Sequence, residues 1–289
     1  MYESIKAEIL KETGRDTITD REIDIIRRDS GRKEVNKING YIKKVGAEKI
    51  ISEFGTFFFL KYKSILKLNI EKQMIFRYIY LCTFSRYDGK IEYGNAKGDA
   101  KLARLKDLQE ILKLSRRETM YARKVFIENG LIIVSEDKTI SVNLEYAFKG
   151  KMEKKKELKG NVIRMFEEAI RELYEKSDPR EHKRLALLVE LLPHINFTHN
   201  IICSNPTEKN IELVNPFTLK EVMGIAEYSN ITKFRKELLN VTVNGELAMK
   251  ITETKYGKFI YVNPRIFYKG NNYKDLKSCV NEFKVKKQE

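Results

Sequence analysis

The feature that most constrains how this chain can fold is a pair of short helices joined by a tight turn. Residues 104–114 carry apolar side chains at helical spacing. Ser115 can cap a second helix over residues 116–129, because its hydroxyl can accept a hydrogen bond from the first turn. Gly130 favours the end of that helix, since glycine readily adopts the left-handed conformation found there. The spacing therefore predicts a helix-turn-helix.

A β-hairpin is predicted directly after the second helix. Leu131–Val134 and Thr139–Leu144 have β character, and Glu136–Lys138 forms the turn between them. Helix, turn, helix and hairpin is the order of elements in a winged helix-turn-helix. A longer helix over Ile70–Arg86 precedes them and has apolar side chains on one face.

The second half of the chain repeats this order. Helices are predicted over residues 161–176, 180–191, 216–226 and 230–240, with a β-type segment over 195–203 and a hairpin of 247–252 and 258–263 turned at 255–257. Three matches support a repeat: Leu105–Leu108 with Leu219–Val222, Asn129–Leu131 with Asn244–Glu246, and Phe148–Gly150 with Tyr268–Gly270. Two copies of one unit are the simplest interpretation.

We therefore predict an α+β, mostly helical fold with two tandem winged helix-turn-helix domains and a small helical N-terminal region. The predicted divisions are a helical N-terminal region at 1–55, a first winged-helix domain at 56–150, a charged linker at 151–160, a second winged-helix domain at 161–272 and a basic C-terminal tail at 273–289.

The charge balance indicates a polyanionic partner. Lys and Arg outnumber Asp and Glu by 56 to 41, a formal net charge of +15, and this surplus favours nucleic acid. No apolar stretch approaches the roughly 18 residues of a membrane-spanning helix. The three cysteines are far apart, which is typical of reduced thiols. We expect a cytoplasmic protein that binds double-stranded DNA and no membrane.

The second helix of the first unit is the predicted reader of DNA. Its outward positions are basic, and Arg can pair bidentately with guanine in the major groove while Lys meets phosphate. The Ser115 cap also leaves backbone N–H groups that can bind a phosphate. The predicted DNA-binding residues of this unit are Arg104, Ser115, Arg116, Arg117, Tyr121, Arg123, Lys124 and, in the wing, Lys138.

The second unit has a less basic outer face, which includes Glu237. It either binds an adjacent half-site or contributes to a homodimer. Wing lysines usually contact phosphate and position a protein without specifying sequence. The predicted DNA-binding residues here are Thr232, Lys233, Arg235, Lys236, Lys255 and Lys258.

Motifs for catalysis are lacking. Residues 94–98 have neither the spacing nor the terminal Lys-Ser/Thr of a phosphate-binding loop. His194, His199 and Cys203 match no standard zinc spacing. We expect no enzyme activity, no cofactor and no metal. A strand-nicking enzyme that uses Tyr121 or Tyr268 stays open as an alternative.

Three further features point to a known family: the two-unit architecture over residues 56–272, the segment Arg77–Phe84 with the loop to Gly94–Gly98, and the closing segment Val262–Gly270. In these features the chain resembles the tandem winged-helix replication initiators of plasmids and phages in low-GC Gram-positive bacteria. The resemblance implies binding to repeated origin sites and recruitment of host replication proteins. A transcriptional regulator or partition-type protein on the same scaffold is the alternative, and an adaptor for an acidic protein is a further one.

Overall fold

The helices and strands run in two similar series. The first contains β1 (Phe57–Leu60), α1 (Tyr62–Leu66), α2 (Lys72–Cys82), β2 (Glu92–Tyr93), β3 (Lys101–Leu102), α3 (Leu108–Leu112), α4 (Arg116–Glu128), β4 (Ile132–Val134), β5 (Ile140–Val142) and β6 (Ala147–Phe148). The second contains β7 (Ile163–Phe166), α5 (Glu167–Glu175), α6 (His182–Glu190), α7 (Leu219–Ile225), α8 (Ile231–Leu238), β8 (Thr242–Val243), β9 (Glu246–Leu247), β10 (Met249–Thr254), β11 (Gly257–Val262) and β12 (Phe267–Tyr268), and α9 (Tyr273–Lys284) follows it.

The computed structural model describes residues 46–94, 100–150, 161–254, 257–270 and 272–284, with Arg21, Arg28, Arg32 and Asn36 further upstream. The chain divides into two units, residues 1–49 and 50–289. The described positions of the first unit are helical. The predicted linker at 151–160 lies outside the described residues, as do Lys255 and the loop residues 95–99.

One antiparallel sheet joins the two series, in the order β12, β7, β1, β6. Phe59 of β1 pairs with Phe148 on one side and with Arg164 of β7 on the other. Arg164 in turn pairs with Tyr268 of β12. The two inner strands thus meet each other, and each carries the last strand of its own series on its outer side. This arrangement relates the two series by an approximate twofold axis through the sheet.

Matching turns lead into the last strand of each series. In the first, the Asn143 side chain accepts a hydrogen bond from the Glu145 N–H and donates one to the Gly130 carbonyl. In the second, Asn263 accepts from the Arg265 N–H and donates to the Leu247 carbonyl. Each asparagine stands five residues before the Phe148 or Tyr268 position. The structure therefore supports the repeat and extends the Phe148–Gly150 match back to this asparagine.

The core is continuous across the two series. Helix α2 packs along α6, and the Tyr174 ring of α5 stacks on Tyr80 of α2 with ring centroids 3.7 Å apart. Tyr174 also stacks on the His182 ring at 4.1 Å. Aromatic contacts of this kind contribute about 0.5–1.5 kcal/mol beyond the area that they bury. They hold the two halves together between their helix-turn-helix elements.

The coarse fold class is confirmed, because the described chain is α+β with several helices and small antiparallel sheets. Three local predictions were wrong. The helix predicted from residue 161 begins as strand β7. The helix over 104–114 is a 3₁₀ turn, Leu105–Asp107, followed by α3. Asn244 and Gly245 form the turn between β8 and β9 instead of a helix end, so they do not match Asn129–Leu131.

The predicted tail at 273–289 contains helix α9. Its Leu276 and Val280 side chains are buried in the core. The Tyr273 hydroxyl donates to Glu53, at 2.5 Å. The residues that follow α9 lie outside the described part of the chain.

Candidate nucleic-acid interface

Helix α4 starts at the predicted cap. Ser115 has extended backbone angles, and its hydroxyl oxygen accepts a hydrogen bond from the Glu118 N–H. The Ser115 hydroxyl donates a hydrogen bond to the Glu118 carboxylate, with 2.8 Å between Oγ and Oε2. Lys113, with φ of 52°, supplies the left-handed residue of the tight turn between α3 and α4. These bonds satisfy donors that a helix start would otherwise leave unpaired.

The outward face of α4 carries free cations. Ala122 and Phe126 are buried and anchor the helix to the core, while Arg116, Arg117, Arg123 and Lys124 are exposed, as predicted. Within the part of the chain that the structure describes, the three arginine side chains make no ion pair and no hydrogen bond. Lys124 has only a loose pair with Glu128, at 3.9 Å. Their donors are therefore free to bind an external acceptor.

Tyr121 is partly engaged inside the protein. Its ring is 43% exposed, but its hydroxyl donates to Glu71 at the start of α2, at 2.7 Å. This bond raises the pKa of Tyr121. The Tyr268 hydroxyl lies in a fully buried side chain, and desolvation raises its pKa. Neither environment favours the ionised phenol that a tyrosine nucleophile needs.

Three cations lie around the β4–β5 hairpin. Lys138 is exposed at the tip of the β4–β5 hairpin with φ of 65°. The backbone of Arg104, which is also exposed, forms an isolated β-bridge with Thr139, and that of Lys90 forms one with Ser141. The pKa of Asp137 is lowered, mainly by bonds from the Thr139 hydroxyl and N–H and less by Arg104 and Lys90. Lys90 is a cation beside this hairpin that the sequence did not single out, because an isolated β-bridge to the distant Ser141 places it there.

The second helix-turn-helix is capped in the same way. Thr218 caps α7 and exchanges hydrogen bonds with Glu221, and the Asn230 side chain accepts from the Lys233 N–H at the start of α8. Phe234 anchors α8 in the core. The predicted contact residues Thr232, Lys233, Arg235 and Lys236 are all exposed.

Acidic side chains partly neutralise the α8 face. Glu237 lies 3.8 Å from the Lys233 ammonium and accepts the Tyr228 hydroxyl at 2.6 Å. In the β10–β11 hairpin, Lys258 is exposed and pairs with Glu253 on the opposite strand, at 3.5 Å. Among the described residues, α8 presents Arg235 and Lys236 without an ion pair, whereas α4 presents Arg116, Arg117 and Arg123.

Helix α2 connects the two helix-turn-helix units at its first turn. Its N-cap residue, Glu71, binds Tyr121 of α4. The next residue, Lys72, pairs with Glu227 in the turn between α7 and α8 at 2.8 Å and with Glu190 of α6 at 3.0 Å. Both units therefore contact the same end of α2.

A buried arginine makes a second link. The Arg77 side chain is 2% exposed; it pairs with Glu118 of α4 at 2.9 Å and donates to His182 Nδ1 of α6 at 3.3 Å. Burial, followed by the Arg77 charge, lowers the pKa of His182 to about 4. Partial burial opposes ionisation of Glu118, but bonds from Ser115 and Arg77 outweigh it and lower that pKa. The first turn of α4 is thus fixed to both α2 and α6.

No protein-family model, no curated protein and no solved structure matches this chain. In the described ranges, no group of three His, Cys, Asp or Glu side chains is placed to hold a metal ion. The same residues include no helix with the length and apolar character needed to cross a membrane.

Proposed function

We propose that the protein binds double-stranded DNA sequence-specifically through two winged-helix units, with α4 as the main recognition helix. The observation that carries this proposal is the outer face of α4. It presents Arg116, Arg117 and Arg123, which have no partner in the described ranges, on a helix whose start and buried side are both fixed. A helix of this kind fits the major groove, where guanine offers two acceptors to a guanidinium.

The backbone around each unit supports the winged-helix assignment. In the first unit, the Ala103 N–H donates to the Ile91 carbonyl, and the Ile140 N–H of the hairpin donates to the Ala103 carbonyl. The hairpin is therefore hydrogen-bonded to the segment that precedes the two helices. In the second, the Ile202 N–H donates to Ile260 and the Phe217 N–H to Ile202. Both hairpins are thereby held beside their helices, as wings are.

In this proposal the two units bind DNA together as one rigid module. They share a sheet and contact the same end of α2, so their recognition helices have a set separation. A preorganised pair loses less conformational entropy on binding than two modules on a flexible linker. The DNA target would therefore contain two half-sites at one spacing.

The biological role that we propose is initiation of plasmid or phage replication in the cytoplasm. The protein would bind repeats in an origin and recruit host replication proteins, without catalysing a reaction itself. The support is the resemblance of Arg77–Phe84 and Val262–Gly270 to such initiators, together with the two-unit organisation.

The test is binding of the purified full chain to DNA fragments that tile its own replicon, over a series of salt concentrations. Wild-type protein should bind one repeat-containing fragment tightly, with affinity falling steeply as salt rises because counterions are released. An Arg116→Ala/Arg117→Ala variant should lose that preference. A Lys67→Ala/Lys209→Ala variant removes the same charge from exposed positions outside both helix-turn-helix units and should keep it.

Weak binding to every fragment, unchanged in the Arg116→Ala/Arg117→Ala variant, would refute the proposal. A single preferred site at a promoter would support DNA binding but contradict the replication role.

A further inference from the structure

Two apolar side chains stand in the middle of the cationic face of α4. Met120 is 64% exposed and Ile127 is 41% exposed. Residues seven apart lie nearly in line on a helix, because seven residues make almost two turns. Met120 and Ile127 therefore form one line along the outer face.

Basic residues flank this apolar line on both sides. Arg116 and Arg123 form a row on one side, and Arg117 and Lys124 form a row on the other, again at spacings of seven. Met120 stands four residues after Arg116 and three after Arg117, so it lies between them on the helix surface. The most exposed apolar group of α4 is thus surrounded by cations.

The charges on both sides of Met120 indicate what kind of partner binds this surface. A surface with unpaired arginines on both sides of an apolar line complements a polyanion that also presents an apolar group. Duplex DNA has one such group in its major groove, the 5-methyl of thymine. The flexible methionine side chain suits this contact because it adapts to an irregular surface.

Resting on the proposed function, we propose that Met120 determines specificity by contacting the 5-methyl group of thymine. The arginines beside it would bind a neighbouring guanine or the backbone phosphates. Helix α4 would then require thymine at the position that faces Met120, and Ile127 would continue the apolar contact about 10 Å further along the groove.

The experiment replaces each thymine of the bound site by uracil in turn, which removes only the methyl group. For wild-type protein, one or two positions should weaken binding about fourfold, the equivalent of about 0.8 kcal/mol for one buried methyl-sized group. Met120→Ala should weaken binding to the thymine site and should show no further loss at those positions, so the two changes are not additive. Met120→Leu should keep the sensitivity to uracil.

A Leu213→Ala variant is the matched control. Leu213 is 59% exposed and lies outside both helix-turn-helix units, so its loss should leave the uracil profile unchanged. Thermal unfolding of Met120→Ala should match the wild type, since the side chain is on the surface.

The outcomes separate this inference from the proposed function. Specific binding that no uracil position affects, in wild type and Met120→Ala alike, overturns the role of Met120 and leaves DNA binding intact. Absence of any specific site overturns both. Wild-type self-association that Met120→Ala abolishes, with DNA affinity per subunit unchanged, would assign the apolar line to a second copy of the chain and overturn the inference.

Discussion

The two helix-turn-helix units share a buried framework but differ in their second helices, α4 and α8. Helix α4 has 13 residues and leads directly through Gly130 into its hairpin, whereas α8 has 8 residues and is followed by an extra hairpin, β8–β9. Each helix has one lysine–glutamate pair four residues apart, but α4 adds three exposed arginines without a partner among the described residues, and the Glu237 carboxylate of α8 also binds Tyr228. The comparison teaches that the repeat conserves the buried framework, and that the exposed faces are free to differ in use.

A buried lysine shows the same divergence inside the fold. Lys149 follows β6 and pairs with the buried Glu167 carboxylate at 2.7 Å. Lys269 occupies the equivalent position after β12 but pairs with no carboxylate of the described residues; its ammonium donates to the Ile195 carbonyl and lies over the Tyr62 and Phe197 rings. Burial lowers the pKa of Lys269 to about 7.

The largest expected effect is a pH dependence of stability that comes from Lys269 in the second half. Between pH 7 and about 9.5 the unfolded chain keeps the Lys269 proton while the folded chain loses it, so the contribution of Lys269 to stability rises with pH. That rise is at most about 1.4 kcal/mol per pH unit, or about 3 kcal/mol overall. Burial raises the pKa of the Cys82, Cys203 and Cys279 thiols, so above about pH 8.5 they lower the stability of wild type and variants alike. Urea unfolding at several pH values should therefore show the stability of wild type rising relative to that of Lys269→Met.

Lys149→Met is the matched variant for this experiment. It removes the equivalent lysine and leaves Glu167 buried without its cation, so it should lower the stability but keep the rise with pH. A rise that survives in Lys269→Met would show that another group causes it.

The next effect concerns the link between the halves. Glu118→Ala leaves the Arg77 guanidinium buried without its carboxylate. We expect the free energy of unfolding to fall by about 2 kcal/mol. This loss is smaller than that for a fully buried pair because the Glu118 side chain is 39% exposed. Glu128→Ala, on the same helix, removes only the loose pair with Lys124 and should cost about 0.5 kcal/mol or less. Equal losses from urea unfolding would mean that the buried link contributes little.

The smallest effect compares α4 and α8, the two helices proposed to read DNA. Arg116→Ala/Arg117→Ala and Arg235→Ala/Lys236→Ala each remove two exposed cations, so their loss of general attraction to phosphate is matched. We expect the α4 variant to lose about tenfold more affinity for the specific fragment, since a base contact contributes about 1–3 kcal/mol. Equal losses in fluorescence anisotropy titrations would mean that both helices read bases.

Much of the first unit could be predicted because its determinants are local. Ser115 caps α4 through a bond within its own first turn, and Gly130 ends the helix because it tolerates a φ of 63°. The exposed positions of Arg116 and Arg117 follow from helical spacing alone once Phe126 is buried. Lys90 could not be found in this way, since an isolated β-bridge to Ser141, some fifty residues later in the chain, brings it beside the hairpin.

Strand β7 shows where local information failed. Ile163–Phe166 continues smoothly into the helical pattern of α5, so spacing alone extended the helix backwards. Its strand conformation comes from pairing with Phe57–Leu60, more than a hundred residues earlier. The likeness of Asn244 and Gly245 to Asn129 and Gly130 predicts a helix end, but the same residue types also favour the tight turn of a hairpin, which they form here.

Properties that depend on near neighbours along the chain could be predicted from the amino-acid sequence: the Ser115 cap, the turn of the β4–β5 hairpin, the α+β class and the basic outer face of α4. Tertiary structure decided the properties that depend on distant partners. These are the shared sheet, the approximate twofold relation, and the environments of Arg77 and Lys269. The physical reason is that a cap or a turn is stabilised by bonds a few residues apart, whereas a buried charge takes its energy from groups that only the folded chain brings within reach.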